Sequence, residues 1–182
     1  MEFYVVFSAP VTISTAQNLM AACSQLVTQK GATSLRLLIS TPGGEVPAGM
    51  TLYNFFKALP IPVITHNIGN VDSIGNAMFL AGKQRLACPH STFMFHGVGR
   101  NAEKIMLEEK NLKETLAAIL ADQKRIGDII VSETNITAEN AGKLFAEAST
   151  KDADFALANG IVHSIEQLQI PLGAPIISLV LT

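Results

Sequence analysis

The chain has little charge, few cysteines and no long apolar run. Only 15% of its 182 residues are Asp, Glu, Lys or Arg, and the formal net charge is −2. This balance gives no electrostatic basis for binding nucleic acid or an anionic membrane surface. The two cysteines have no metal-like spacing and do not make a disulfide framework. We expect buried thiols, with Cys23 on a helix face and Cys88 in a strand, and no metal site.

No segment resembles a leader peptide or a membrane anchor. The N-terminus carries Glu2 where a signal peptide needs basic residues, and residues 3–7 are typical of a first strand. The apolar run of residues 176–181 is too short to span a bilayer, which takes about 20 residues. We therefore expect a cytoplasmic protein that binds neither membrane nor nucleic acid.

What the chain does contain is apolar surface and an alternation of strand and helix patterns. Hydrophobic residues make up 48% of the sequence, so much of it must be buried in a core or between subunits, and residues 1–182 suit one domain. Strand patterns over residues 3–7 and 35–40 each precede a helical pattern, and residues 83–96 resemble two short strands. This alternation predicts an α/β fold around a mostly parallel sheet.

The most informative segment is residues 69–76, which read Gly-Asn-Val-Asp-Ser-Ile-Gly-Asn. A β-branched run precedes it and an apolar run follows, so Ser73 is expected in a tight turn at a helix N-terminus, where developing negative charge is favoured. A second strand pattern ends at His96, 23 positions later. A serine hydroxyl and an imidazole base are the parts that nucleophilic catalysis needs. Taken alone, the Ser-x-Gly segment favours an ordinary helix cap at Ser73.

A glycine pair follows the strand pattern of residues 35–40. Gly43 and Gly44 can turn backbone N–H groups outward in conformations closed to other residues. Open α/β sheets place their ligands at such strand-to-helix turns. The glycine pair and Ser73 therefore suggest one site, although a plain turn remains an alternative.

The order of these segments resembles ClpP, the proteolytic subunit of the Clp protease, within the ClpP/crotonase superfamily. The resemblance covers roughly residues 35–165: the Ser-Thr-Pro-Gly-Gly segment at residues 40–44, the turn at residues 69–75, Met-Phe-His at residues 94–96, and the closing segment at residues 156–162. It implies stacked ββα units with a protruding long handle helix. It also implies a serine-type endopeptidase with Ser73 as nucleophile and His96 as base. The backbone N–H groups of Gly44 and Ile74 would form the oxyanion hole, without a cofactor or metal.

Two departures from the family concern the site itself. The family's third catalytic residue is an Asp twelve positions before the Gly that aligns with Gly160, and here that position is Ala148. Glu147 could orient His96 if the loop shifts by one residue; the alternatives are a Ser–His dyad helped by a backbone carbonyl or water, or a site that has lost activity. Asp152 is expected to cap the closing helix. The other departure is Asp72, which we expect to cap the helix after Ser73.

A long helix is predicted at about residues 102–134, where apolar residues recur every seven positions at Ile105, Leu112, Ile119 and Ile126. A helix of this length exceeds the needs of a compact domain, so part of its apolar seam should meet another chain. The resemblance implies a homo-oligomeric ring or stacked rings that enclose a peptide or unfolded protein substrate. It also implies an unfoldase ATPase as partner, but the first strand begins almost at Met1, which argues against docking through an N-terminal axial loop.

Three functions from different classes follow. The first is a ClpP-like serine endopeptidase. The second is a noncatalytic ClpP-like subunit or assembly scaffold, which Ala148 favours. The third is a crotonase-type acyl-CoA enzyme, which uses paired N–H groups on a thioester enolate but leaves the pairing of Ser73 with His96 unexplained.

Overall fold

The structure is a computed structural model that describes residues 1–99 and 108–179. Within these residues it has the predicted mixed α/β architecture, with one eight-stranded sheet and six helices. The strands are β1 (Glu2–Ser8), β2 (Ser34–Thr41), β3 (Val63–Asp72), β4 (Gln84–Ala87), β5 (Thr92–Met94), β6 (Thr150–Asp152), β7 (Ser164–Ile165) and β8 (Ile176–Ser178). The helices are α1 (Ile13–Gln29), α2 (Val46–Ala58), α3 (Gly75–Leu80), α4 (Glu109–Glu133), α5 (Ala138–Glu147) and α6 (Ala153–Ala158). That residues 1–182 form a single domain stays a prediction.

Strand β3 is where the sheet divides into two branches. β1, β2 and β3 run parallel, as crossover connections require. The first half of β3 pairs with β4, and its last three residues pair with β5, again in parallel. β5 pairs on its other side with β6, which is antiparallel to it. The chain therefore leaves β2, β3 and β5 at the same edge of the sheet, and the residues that follow these strands are brought together there.

The hydrophobic core contains one face of the sheet. Inward-facing residues alternate along the strands, as in β2, where Leu35, Leu37 and Ile39 are fully buried. Every residue of α3 is buried. Cys23 belongs to this core as predicted, and its burial raises the pKa of the thiol to about 12. Cys88 was expected within a strand, but it lies one residue beyond β4 and is half-buried.

Helix α4 is 25 residues long, and residues 102–107 of the predicted helix lie outside the described chain. Its apolar residues serve two surfaces. Ile126 and Ile130 are buried against the body of the protein, whereas Leu112, Leu116 and Leu120 are each more than 50% exposed. Of the predicted seven-residue seam, Leu112 is exposed, Ile119 is half-buried and Ile126 is packed, while Ile105 lies outside the described residues. Among the described helices, α4 included, no stretch is long and apolar enough to cross a membrane.

A buried ion pair fixes the C-terminal end of α4. The guanidinium of Arg85 in β4 donates to the backbone oxygens of Ile161 at 2.8 Å and Glu133 at 2.7 Å, and lies 3.7 Å from the Glu133 carboxylate. That carboxylate also accepts from Tyr53 and pairs with Lys57, each at 2.7 Å. Burial alone would raise the pKa of Glu133, but these donors and cations hold it below its usual value. The base of α4 is therefore tied to both β4 and α2.

Candidate active site

Three of the residues expected in the site line one cavity at the edge where β2, β3 and β5 end. They are Gly44 after β2, Ser73 after β3 and His96 after β5. The other lining residues are Val46, Phe95, Val98, Gly99, Ile126 and Phe145. The cavity has a volume of about 70 Å³, which corresponds to about two water molecules. Ile126 belongs to the half of α4 that packs against the body of the protein, so this half of the helix forms part of the cavity wall.

Ser73 occupies a strained turn between β3 and α3. Its φ is +55°, a left-handed conformation that non-glycine residues seldom adopt. The Ser73 N–H donates to the Met94 oxygen at 2.9 Å, and its carbonyl accepts from the Asn76 N–H at 3.1 Å. Its side chain does not cap α3, so the helix-cap alternative is not what the structure contains. Strain of this kind costs about 1–3 kcal/mol and persists only where surrounding contacts impose it.

The glycine pair makes the closest approach to this turn. A Cβ on Gly43, whose φ is +81°, would lie 2.7 Å from Ser73 Cβ and 2.6 Å from the Asp72 oxygen, so only glycine fits there without displacement. Gly44, with φ +149°, forms a bridge to Val11. In this bridge the Val11 N–H donates to the Gly43 oxygen, and the Glu45 N–H donates to the Val11 oxygen. The Gly44 N–H takes no part in these two bonds, and Gly44 lines the cavity together with Ser73.

Ile74, the other expected oxyanion donor, lies between the turn and α3. Its side chain is fully buried, and the residue is the N-cap of α3. A helix N-terminus leaves its first N–H groups without intrahelical partners. Ile74 is not among the residues that line the cavity, and its side chain packs against Gly49 of α2.

His96 is held by the chain that precedes β6. The N–H groups of its two neighbours, Phe95 and Gly97, donate to the oxygens of Ser149 and Phe145 at 3.3 and 3.1 Å. β5 and β6 are in register as far as Met94 and Thr150; beyond them, Ser149 and Phe145, whose oxygens accept these two bonds, flank the C-terminal end of α5. Ser73 and His96 share the cavity, and no hydrogen bond joins them.

Ala148 ends α5 in a left-handed conformation, with φ +50°. Its side chain is exposed and offers no acceptor to the imidazole. The position at which the family resemblance places an Asp therefore lies within residues 145–149, the segment that bonds both neighbours of His96, and here it carries only a methyl group.

Glu147 does not replace the missing acid in this geometry. Its carboxylate accepts from Lys151 at 3.2 Å and Ser149 at 3.3 Å, and it lines a different cavity from Ser73 and His96. Neither a hydrogen bond nor an ion pair links it to His96 in the described chain. Asp152 caps α6, as predicted, by accepting from the Phe155 N–H at 2.8 Å. Within residues 1–99 and 108–179, no cluster of three or more His, Cys, Asp or Glu residues could hold a metal.

The prediction that Asp72 caps α3 is wrong. Asp72 is the last residue of β3, and its carboxylate accepts from the Asn70 amide at 2.6 Å. Because side chains alternate along a strand, Asp72 points to the same face as Asn70 and away from Val71, which packs in the core. The Asn70 amide also donates to the Thr41 oxygen at 3.0 Å and so ties β3 to the strand that leads into the glycine pair.

The sequence interpretation assigned no role to Asn70 or Asn76. Both proved to be bound to backbone carbonyl groups at the site. For Asn76 a signal was present in the sequence, because an amide interrupts an otherwise apolar run from Ile74 to Ala81.

Comparisons with known proteins point to one family. The family model described as Clp protease matches residues 1–169. ATP-dependent Clp protease proteolytic subunit 2 of Corynebacterium diphtheriae is 31% identical over 172 residues, which cover 86% of this chain and 79% of the relative. Subunit 3 of the same name from Rhodococcus jostii is 28% identical, with 87% and 81% covered. Subunit 1 from Chlamydia pneumoniae is 29% identical, with 90% and 88% covered.

The close approach of the glycine loop to Ser73 predicts a specific loss of stability. Gly43→Ala should lower the free energy of unfolding by about 1–3 kcal/mol, because its left-handed φ and its contacts with Ser73 Cβ and the Asp72 oxygen exclude a methyl group. The matched control is Gly142→Ala in α5, where a Cβ meets no atom within 4 Å and helix propensity should add about 0.5–1 kcal/mol. Denaturant unfolding measures both, and equal effects of the two substitutions would contradict the assigned contact.

Proposed function

The chain belongs to the Clp protease family, and from that membership we propose that it is a serine-type endopeptidase with Ser73 as nucleophile and His96 as general base. The observation that carries the proposal is that Ser73, His96 and Gly44 line one cavity at the shared edge of three parallel strands. The strained backbone of Ser73 supports it further, because strain of this kind collects at functional sites.

The proposed reaction follows acyl-transfer chemistry. The Ser73 Oγ attacks the peptide carbonyl carbon while His96 takes the hydroxyl proton. The negative charge on the carbonyl oxygen is stabilised by the N–H groups of Gly44 and Ile74. His96 then donates the proton to the leaving amine as the C–N bond breaks, and a water molecule, activated by the same imidazole, hydrolyses the acyl-enzyme.

We propose that His96 works without a carboxylate partner. Ala148 stands where the family resemblance places the acid, and the Glu147 carboxylate is engaged by Lys151 and Ser149. A backbone carbonyl or a water would then accept from the second imidazole nitrogen. Loss of the acid in a serine triad lowers the rate by about 10⁴-fold without removing the fold, so a slow enzyme is expected.

Ala148 at the position of the acid also favours a second candidate function, a noncatalytic ClpP-like subunit that contributes to assembly. Such a subunit could have the turn, the glycine loop and the imidazole without an acid to orient them. No observation on the chain favours an acyl-CoA enzyme over these two.

Assembly into a ring or stacked rings is part of the proposal. Leu112, Leu116 and Leu120 recur every four residues on one side of α4 and are each more than half exposed, so a second copy of the chain is the occupant we propose for this stripe. The substrate would be a peptide or unfolded protein within the resulting chamber. The relatives are named as subunits of an ATP-dependent protease, so an ATPase partner is proposed as well.

Covalent labelling distinguishes the two functions. A fluorophosphonate probe should label Ser73, and Ser73→Ala or His96→Ala should abolish the labelling, because an unassisted serine hydroxyl is nearly inert near neutral pH. Glu147→Gln should leave the labelling rate unchanged. His90→Ala, which removes an exposed imidazole from a turn, is the matched control. Folded, assembled protein that neither this probe nor a β-lactone labels would instead support the noncatalytic subunit.

Restoring the acid gives an independent test. Ala148→Asp should raise the labelling rate by at least about tenfold, because it restores a carboxylate in the segment that bonds both neighbours of His96, and Asp tolerates the left-handed backbone better than most residues. Ala148→Asn has nearly the same shape without the charge and should give no comparable gain. A gain equal in both variants would mean that the carboxylate is not the cause.

The leucine stripe can be tested by sedimentation velocity. Leu116→Asp should convert the assembled protein to smaller species, because it places a charge in the apolar contact proposed between copies. Leu172→Asp changes a fully exposed leucine outside α4 and should leave the sedimentation coefficient unchanged. A wild-type monomer at micromolar concentration would contradict the proposed assembly.

A further inference from the structure

Asn76 is the one polar side chain in α3, among residues that are otherwise glycine or apolar, and only 1% of it is exposed. An amide placed in such surroundings loses its water and must find partners in the protein. Ala77, Met78, Phe79 and Leu80 are buried as well, so the helix would pack with an aliphatic side chain at this position. The question is what the amide does there.

The Asn76 amide joins the turn that carries Ser73 to the strand that delivers His96. Its Nδ2 donates to the Ser73 oxygen at 3.1 Å and to the Met94 oxygen at 2.8 Å. Met94 is the last residue of β5, two positions before His96. The same two carbonyl groups also accept from the backbone N–H groups of Asn76 and Ser73. Four hydrogen bonds thus close a ring around the Ser73 turn and the end of β5.

The other end of the amide is left unsatisfied. Asn76 Oδ1 is buried and has no hydrogen-bond partner among the described residues. Because Nδ2 faces two carbonyl oxygens, the amide cannot be turned round to satisfy Oδ1 without setting oxygen against oxygen. The orientation of the amide is therefore set by the two bonds that Nδ2 donates.

We propose that Asn76 is a positioning residue that fixes the distance between Ser73 and His96 by clamping the Ser73 and Met94 carbonyl groups. The inference rests on the proposed function. Ser73 and His96 do not hold each other in place, since no hydrogen bond joins them. Their separation is therefore set by the backbone, and the clamp acts on that backbone next to Ser73 and two residues from His96. A displacement of about 1 Å between reacting groups lowers a rate by about 100-fold.

Asn76→Ala removes the clamp, and Asn159→Ala is the matched control. Asn159 also donates its side-chain amide to a backbone oxygen, that of Phe155 at 2.9 Å, but at the end of α6. In Asn76→Ala the rate of Ser73 labelling by a fluorophosphonate and kcat for a peptide substrate should both fall by about 10- to 100-fold. KM should change less than about twofold, because the residue does not touch the substrate. Asn159→Ala should alter none of these quantities.

Amide hydrogen exchange supplies a readout that does not depend on activity. The Ser73 N–H, which donates to the Met94 oxygen, should exchange faster in Asn76→Ala than in the wild-type protein. Should Asn76→Ala fail to fold, Asn76→Ser keeps a small polar side chain for the same comparison. Unchanged exchange, or faster exchange with unchanged labelling, would overturn the inference. An unlabelled wild-type protein would overturn the proposed function, and Ser73 exchange would still decide whether Asn76 holds the turn.

Discussion

The site depends on a single constraint, the left-handed turn at Ser73. β3 ends there because its last residues pair with β5, whose Met94 oxygen accepts the Ser73 N–H. Gly43 presses against the turn from the other side, at a separation that a Cβ could not keep. The strained φ is thus imposed by β5 on one side and by the glycine loop after β2 on the other. It places Ser73 in the cavity that His96 and Gly44 also line. If either neighbour moved, the turn would relax into an ordinary helix start.

The chain has the fold of the Clp protease family, but Ala148 stands where the family resemblance places an acidic residue. Ala148 sits at the end of α5, in the segment that bonds both neighbours of His96, and the adjacent acid, Glu147, is held by Lys151. An imidazole without an acid partner is less well oriented and its charged form less stabilised, which affects the rate of proton transfer but not the packing. If His96 acts as the base that we propose, the missing acid therefore slows the reaction and leaves the fold intact.

Helix α4 connects the site to the surface that we propose for assembly. Its C-terminal half contributes Ile126 to the cavity wall and is fixed by Arg85 and Glu133, while its N-terminal half exposes leucines. The seven-residue periodicity in the sequence predicted one apolar seam, but it could not show which part of the seam is exposed and which part is buried. Periodicity records which residues share a side of a helix, but not which part of that side lies over the body of the protein.

The sequence by itself determined the α/β alternation, the turn at residues 69–76, the short strands before His96 and the Asp152 cap, because each depends on local preferences and on the spacing of apolar residues. It also identified Ala148 as a departure. Only the tertiary structure decided that Glu147 faces Lys151, that Asp72 pairs with Asn70 rather than capping α3, and that Asn76 links Ser73 to Met94. These contacts join residues through side-chain rotamers and strand register, and a hydrogen bond only a few ångströms long is set by the packing of the whole sheet rather than by neighbours along the chain.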